Sequence, residues 1–221
     1  MLKNYLMVFF VSMVPVIELR GAIPIGLGMG LPALPTYLVC VFGNMLPVPF
    51  IVVYIRRIFQ WIDHHFPWAS AREYSTIDNI PEYVLDNRHG DCGQVTLLFV
   101  TLCRIAGIPA RFQSGFMMQP RAWNLHDWAE IYLEGIGWVP VDQSFGLAPY
   151  AEKAGQPYFY LGGIDSWRMV VNQDYGMPLV PEKKYPRSET VDFQRGEVEW
   201  EGGNLYFDRW SYHMDIEYLN Y

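Results

Sequence analysis

The chain has 221 residues, of which 51% are hydrophobic, 16% aromatic and 18% charged, and its formal net charge is −7. It is long enough for one large or two small domains and too apolar to be disordered, and its acidic balance gives no basic footprint for nucleic acid. The three cysteines, Cys40, Cys92 and Cys103, show no CxxC or Cys/His spacing, so neither a disulfide framework nor a zinc site is indicated.

These averages hide a shift. Residues 1 to 55 carry only Lys3, Glu18 and Arg20 as charges, and the remainder carries all the others. Two different solvents are implied, and residues 1–58 are expected to be hydrophobic membrane segments. Tyr5 to Ile17 is apolar but shorter than the roughly 20 residues a straight span needs. Pro15, Gly21 and Pro24 are expected to interrupt a helix, which membranes tolerate only against protein or a cavity. Glu18 and Arg20 sit in this greasy region, where a charge costs about 2.5 to 3.5 kcal/mol at mid-bilayer and usually faces protein or water. Leu31 to Ile55 is long enough to span, with a kink expected around Gly43, Asn44, Pro47 and Pro49. Arg56 and Arg57 close it. A secretory signal peptide is the lesser alternative, because no small-residue cleavage site follows the first run and a second apolar segment does. The stretch Glu18-Leu19-Arg20-Gly21-Ala22-Ile23-Pro24 with its surroundings resembles the start of the small multidrug export protein family. That resemblance covers about the first 57 residues and implies a polytopic membrane protein, without implying transport by this chain.

Residues 59–73 read as a linker. Asp63-His64-His65 in it lacks a third metal ligand, and adjacent histidines point different ways on a helix or strand. Ile77 to Leu85 is expected to form a short helix. From Asp91 the apolar residues Val95, Leu98, Phe99, Leu102 and Ile105 recur at helical spacing; Gly107 is a natural stop and Pro109 forbids continuation. This puts Cys92 in the first turn, where unpaired backbone N–H groups and the positive end of the helix dipole favour a thiolate. Cys103 lies on the same helix, too far along it to pair with Cys92.

Asp127 to Leu133 alternates as a strand, with Trp128, Glu130 and Tyr132 on the side of His126. Glu134-Gly135-Ile136-Gly137 is a hairpin signal, and Trp138 to Asp142 is the return strand. A loop centred on Gly135 sets Asp142 opposite Trp128, on the face of His126 and within reach of it; a one-residue slip puts them on opposite faces. A thiol, an imidazole to take its proton and a carboxylate to hold the ring are the groups that nucleophilic thiol chemistry needs. Taken singly, each is more often a core cysteine, a satisfied histidine or a turn former. Their order, the helix N-terminus and the hairpin register together favour a site.

Four motifs, GDCGQ at the head of the helix, GIPARFQSGF, LHDWAEIYL and GWVPVD, resemble the core of the transglutaminase-like superfamily of papain-type thiol enzymes. The resemblance implies Cys92 as nucleophile, His126 as base and Asp142 as the acid that orients the ring. The sequence departs from the commonest pattern at Asp127 and Gln143, where Ala and Pro are expected. The implied fold is α+β, with the cysteine-bearing helix on an antiparallel sheet over residues 74–221, preceded by hydrophobic membrane helices. The implied chemistry is acyl transfer or hydrolysis at peptide amides through a thioester, on a peptide or protein substrate and with no cofactor or metal. The rival readings are a non-catalytic protein-binding module on the same fold and a transport-related protein acting through its N-terminal segments. For the oxyanion, the backbone N–H of Cys92 is the favoured donor and Tyr83 a guess. After Asp142, the runs 158–161, 167–171, 197–200 and 205–212 are expected to complete the sheet, with a turn at 201–204 and with Asp165, Asn172 and Asp174 as turn formers. Lys3, Arg20, Arg56 and Arg57, weighed by the positive-inside rule, place the catalytic domain in the cytoplasm, with a periplasmic or exported domain as the alternative.

Overall fold

The computed structural model describes residues 1–14, 17–70, 72–147, 156–206 and 208–219. The apolar end forms four helices rather than two segments: α1 (Leu2–Ser12), α2 (Glu18–Gly28), α3 (Ala33–Met45) and α4 (Val48–His65). Pro24 lies inside α2 without ending it; Pro15 is outside the described residues. A small cluster of Val8, Ala22, Leu31 and Cys40 holds α1 to α3 together. Thr36 and Gly43 of α3 are buried, and Gly43 is needed there because a Cβ would meet the Phe9 carbonyl at 2.5 Å. Many outward side chains, among them Phe10, Phe42 and Phe50, are exposed apolar groups. Among the described residues, the run Ala33–His65, with a turn at Leu46 and Pro47, is the one long and apolar enough to cross a membrane by length and composition.

α4 revises two expectations. The helix runs through Arg56 and Arg57 instead of closing at them, and the expected linker 59–73 begins with its last turns. The cause is packing. Ile55, Ile58, Phe59 and Ile62 fall on one face of α4 and enter the main core. Arg56 stacks on the Tyr158 ring with its guanidinium carbon 4.8 Å from the centroid. The cytoplasmic expectation leaned on Arg56 and Arg57 as charges flanking a span; as residues in the middle of a helix that docks on the domain, they no longer give it that footing.

The rest of that core comes from α5 (Ile80–Asn87), α6 (Cys92–Ile105) and a four-stranded antiparallel sheet of β1 (Ala110–Gln119), β2 (Ala122–Leu133), β3 (Gly137–Val141) and β4 (Arg168–Gln173), in the order β3-β2-β1-β4. α6 starts at a capping box. The Asp91 side chain accepts from the Gln94 backbone N–H at 2.8 Å, while the Gln94 side chain accepts from the Asp91 N–H at 3.3 Å. It stops where Gly107 turns left-handed at φ 77. Val95, Leu98, Phe99 and Cys103 of α6 pack on Ala129 and Ile131 of β2 and Val141 of β3.

The β2–β3 register is the expected one: Ala129 pairs with Val141 and Leu133 with Gly137, so Trp128 stands opposite Asp142. The β1–β2 hairpin was not foreseen as such. Its strands pair from Ala110 with Ile131 to Gln119 with Ala122, turning at Pro120 and Arg121. The tail departs further. Among its described residues, Arg168–Gln173 alone joins the sheet as a strand; β5 (Val198–Trp200) and β6 (Gly203–Leu205) form their own two-stranded hairpin, and Leu161 makes an isolated bridge to Val141. β1 and β4 approach closely at a register shift between Ser114 and Gly115. Only glycine fits there, because a Cβ at 115 would lie 1.9 Å from the Met169 carbonyl oxygen.

Candidate active site

The capping box sets Cys92 at the first helical position of α6, so its side chain emerges where the helix opens toward β2. Cys92 and His126 line one open cavity of about 340 Å³, together with Trp68, Tyr74, Asp127, Phe145, Asp192 and Arg195. The register of β2 and β3 brings His126 Nε2 to 2.7 Å from Asp142 Oδ2, both side chains being enclosed. Asp142 cannot swing away. Its Oδ1 accepts the backbone N–H groups of Ser144 and Phe145, each at 3.2 Å. The Phe145 ring sits edge-on to the imidazole at 5.3 Å between centroids. With Nε2 committed to Asp142, Nδ1 is the ring nitrogen left for a proton from the cavity.

The two departures from the superfamily pattern are both structural parts of the site. Gln143 is buried and donates to the Phe59 carbonyl at 3.0 Å, tying the loop after β3 to α4. Asp127 is 2% exposed. The Cys92 thiol donates to its Oδ2 at 3.3 Å, and Gln194 donates to its Oδ1 at 2.6 Å. This carboxyl faces Asp91 and Asp192, and burial, followed by Asp192 and Asp91, pushes it well above the usual carboxylate range. Cys92 is pushed up as well, first by burial and then by the Asp127 and Asp91 carboxyls. The expected pull of the helix N-terminus toward a thiolate is therefore outweighed. The two carboxyls at the helix mouth and the loss of water exceed the helix-end term, which is about 0.3–1 kcal/mol and at most about 2. Burial and these carboxyls both favour the protonated thiol. Cys103, enclosed in the core, is pushed up to about 12 by burial.

Tyr83 is not among the residues that line the cavity. It lies on α5 against His89 and Arg72. The tyrosine at the cavity is Tyr74, whose hydroxyl donates to both Asp91 oxygens at 2.7 Å and crowds Gly93 so closely that a Cβ there would meet it at 2.3 Å. Its place before an Asp-Asn-Ile-Pro stretch gave no signal. Asp165, read as a turn former, does cap the Trp167 N–H at 2.9 Å; it also gathers Tyr160 and Arg168. Asn172 bonds to Ser114, and Asp174 ends β4, so neither lines the cavity. Arg168, which the sequence did not single out, lies with Nη2 3.0 Å from the same Asp142 oxygen that holds His126. No group of side chains among the described residues has the arrangement of a metal site.

Residues 52–143 match the model of the Transglutaminase-like superfamily. A protein-glutamine gamma-glutamyltransferase of Pseudomonas aeruginosa is 28% identical over 106 residues, which is 43% of this chain and 16% of that protein. The chain thus spans about a sixth of the length of that relative. Two solved structures are similar over part of the chain. A candidate cysteine protease from Cytophaga hutchinsonii is 26% identical with a TM-score of 0.35, covering 41% of this chain and 30% of its own. The periplasmic domain of TgpA from Pseudomonas aeruginosa is 23% identical with a TM-score of 0.38, covering 48% and 41%. The residues of α6, β1, β2 and β3 that build the site fall within the matched region, and residues 52–143 carry a transglutaminase-like superfamily domain.

Proposed function

We propose that the domain is a cysteine-dependent acyltransferase or amidase acting on peptide amides, with Cys92, His126 and Asp142 as its reacting set. The observation that carries this reading is the 2.7 Å His126–Asp142 contact at the rim of a cavity that also holds a cysteine at a helix N-terminus. The Cys92 sulfur attacks the amide carbonyl as its proton passes to His126; the C–N bond breaks, His126 returns the proton to the departing amine, and a thioester remains. Water or a second amine then cleaves the thioester, losing a proton through His126, and the thiol re-forms. Since burial and the neighbouring carboxyls favour the protonated thiol, proton transfer in this reading accompanies attack instead of preceding it. The Pseudomonas relative is named for transfer at glutamine, which makes a glutamine side-chain amide the first substrate to try. Attachment to a membrane through the run Ala33–His65 completes the reading. Exposed Phe50, Val53 and Tyr54 of α4 continue onto exposed Ile105 at the end of α6, so the domain itself presents an apolar face beside that run.

The test is ammonia release and amine incorporation by the purified full chain on glutamine-containing peptides. Turnover lost in Cys92→Ala and in His126→Ala, with folding retained, supports the proposal. Equal turnover by Cys92→Ala and the unaltered protein ends it. Alkaline phosphatase and green fluorescent protein fusions after residue 221 read which side of the membrane the domain occupies.

A further inference from the structure

Asp142 is fully enclosed, and its Oδ2 has two nitrogen neighbours in place of one. His126 Nε2 approaches at 2.7 Å and Arg168 Nη2 at 3.0 Å. Arg168 is itself enclosed, with a side chain 3% exposed, and it is held from three sides. Its Nε donates to Asp165 Oδ2 at 3.1 Å, and Nη2 pairs with the same oxygen at 3.1 Å. Its guanidinium carbon lies 4.4 Å from the centroid of the Phe145 ring, the ring that also packs on His126. Asp165 is fixed in turn by the Tyr160 hydroxyl at 3.1 Å and the Trp167 N–H at 2.9 Å. The contact from Arg168 to Asp142 falls outside hydrogen-bond alignment, since the Nη atoms have no aligned acceptor, so what it supplies there is charge. Removing one partner leaves an enclosed charge uncompensated, and a guanidinium keeps its charge at any working pH.

We propose that Arg168 is a positioning residue for the thiol site: it compensates the enclosed Asp142 carboxylate and pins the oxygen against which the His126 ring is aligned. This rests on the reading of Cys92, His126 and Asp142 as the reacting set. Without a partner, an enclosed carboxylate beside an imidazole turns its whole attraction on the ring and makes it hold a proton too tightly to relay one. With Arg168 alongside, part of that attraction is spent on the guanidinium, and the ring can take the Cys92 proton and give it up again. Among the described residues, the charged and titratable groups around His126 are Asp142 after β3, Arg168 on β4, Asp127 on β2, Cys92 and Asp91 at the mouth of α6, Tyr74, and Asp192 with Arg195 from the tail; Asp165 and Tyr160 lie behind Arg168 and Phe145. Arg168 is the cation that touches the Asp142 oxygen.

The experiment follows the ring signals of His126 by NMR against pH in the full chain bearing Cys92→Ala, with His126→Gln identifying the signal. In Arg168→Met the proton affinity of His126 rises about tenfold or more, and in Arg168→Lys it returns to within about threefold of the parent. Arg168→Gln, which keeps an enclosed donor but no charge, behaves as Arg168→Met and serves if that variant does not fold. An affinity unchanged in both Arg168→Met and Arg168→Gln, or equally altered in Arg168→Lys, overturns the proposal. The readout needs no substrate, so failure of the enzymatic reading would show as turnover by Cys92→Ala and is separate from failure here.

Discussion

Replacing Asp127 by Asn probes the feature that most opposes thiol reactivity. Asp127 Oδ2 lies 3.3 Å from Cys92 Sγ, and two unit charges at that distance repel by about 5 kcal/mol at an effective dielectric near 20. That figure is a ceiling. The cavity admits water, and Asp127 holds its proton well above the usual carboxylate range because of burial, Asp192 and Asp91, so the repulsion operates only once it ionises. Asn keeps the shape and the acceptor for Gln194 while removing the charge. Alkylation by iodoacetamide, followed residue by residue with mass spectrometry, gives the rate at Cys92, with the fully enclosed Cys40 and Cys103 as internal references. At acidic pH the two proteins should react alike. As pH rises through the titration of Asp127, the Asn variant should pull ahead by about tenfold, which is about 1.4 kcal/mol and a fraction of the ceiling. Identical profiles at all pH values, or a slower Asn variant throughout, would refute the assignment of Asp127 as a group that, beside burial, disfavours the thiolate.

Three further outcomes are expected. Glu189 is pushed up to about 8, chiefly by burial and then by Asp192, and Asp192 is pushed up to about 6, chiefly by burial. A carboxyl whose folded value exceeds its unfolded one contributes stability that is fully present below the unfolded value and is lost as pH rises through the folded one. The urea midpoint should therefore fall between about pH 4 and 8, and Glu189→Gln should flatten the upper part of that fall; a midpoint rising over this range would contradict the assignment. Gly115→Ala should detach β4 from β1, because its Cβ would meet the Met169 carbonyl at 1.9 Å. Since β4 carries Arg168, turnover should fall along with urea stability. Asp142→Asn should retain partial turnover, because an amide can still face His126 but orients the ring less firmly; full activity on glutamine peptides would argue against the ring-holding role.

The helix of Cys92 and the register of the β2–β3 hairpin were legible because both are set by local chemistry. An apolar period of 3.6 ended by Gly107, and a loop centred on Gly135 with φ 76, leave few alternatives. β1 was not legible as a strand. Its residues 110 and 112–115 are buried without alternation, since both faces are covered, so ARFQSGFMMQ shows no period of two. The double use of α4 was hidden for a related reason: one face of an apolar helix looks the same in sequence whether it meets lipid or the domain core. Tyr74, Arg168 and Gln194 reach the site from distant stretches by tertiary packing, and a lone arginine at a strand start carries no local mark. Asp127 was visible as a departure from the superfamily pattern, yet its contact with the thiol depended on α6 lying over that face of β2.

The central claim is that an acyl group passes through the sulfur of Cys92. The full chain is incubated with a pool of glutamine-containing peptides, quenched in acid during turnover and mapped by mass spectrometry for covalent additions. The account predicts an addition of peptide minus ammonia on the fragment containing Cys92, removed by hydroxylamine and absent from Cys92→Ala. Steady ammonia release with the acyl group on another residue, or a hydroxylamine-sensitive addition that persists in Cys92→Ala, would contradict it.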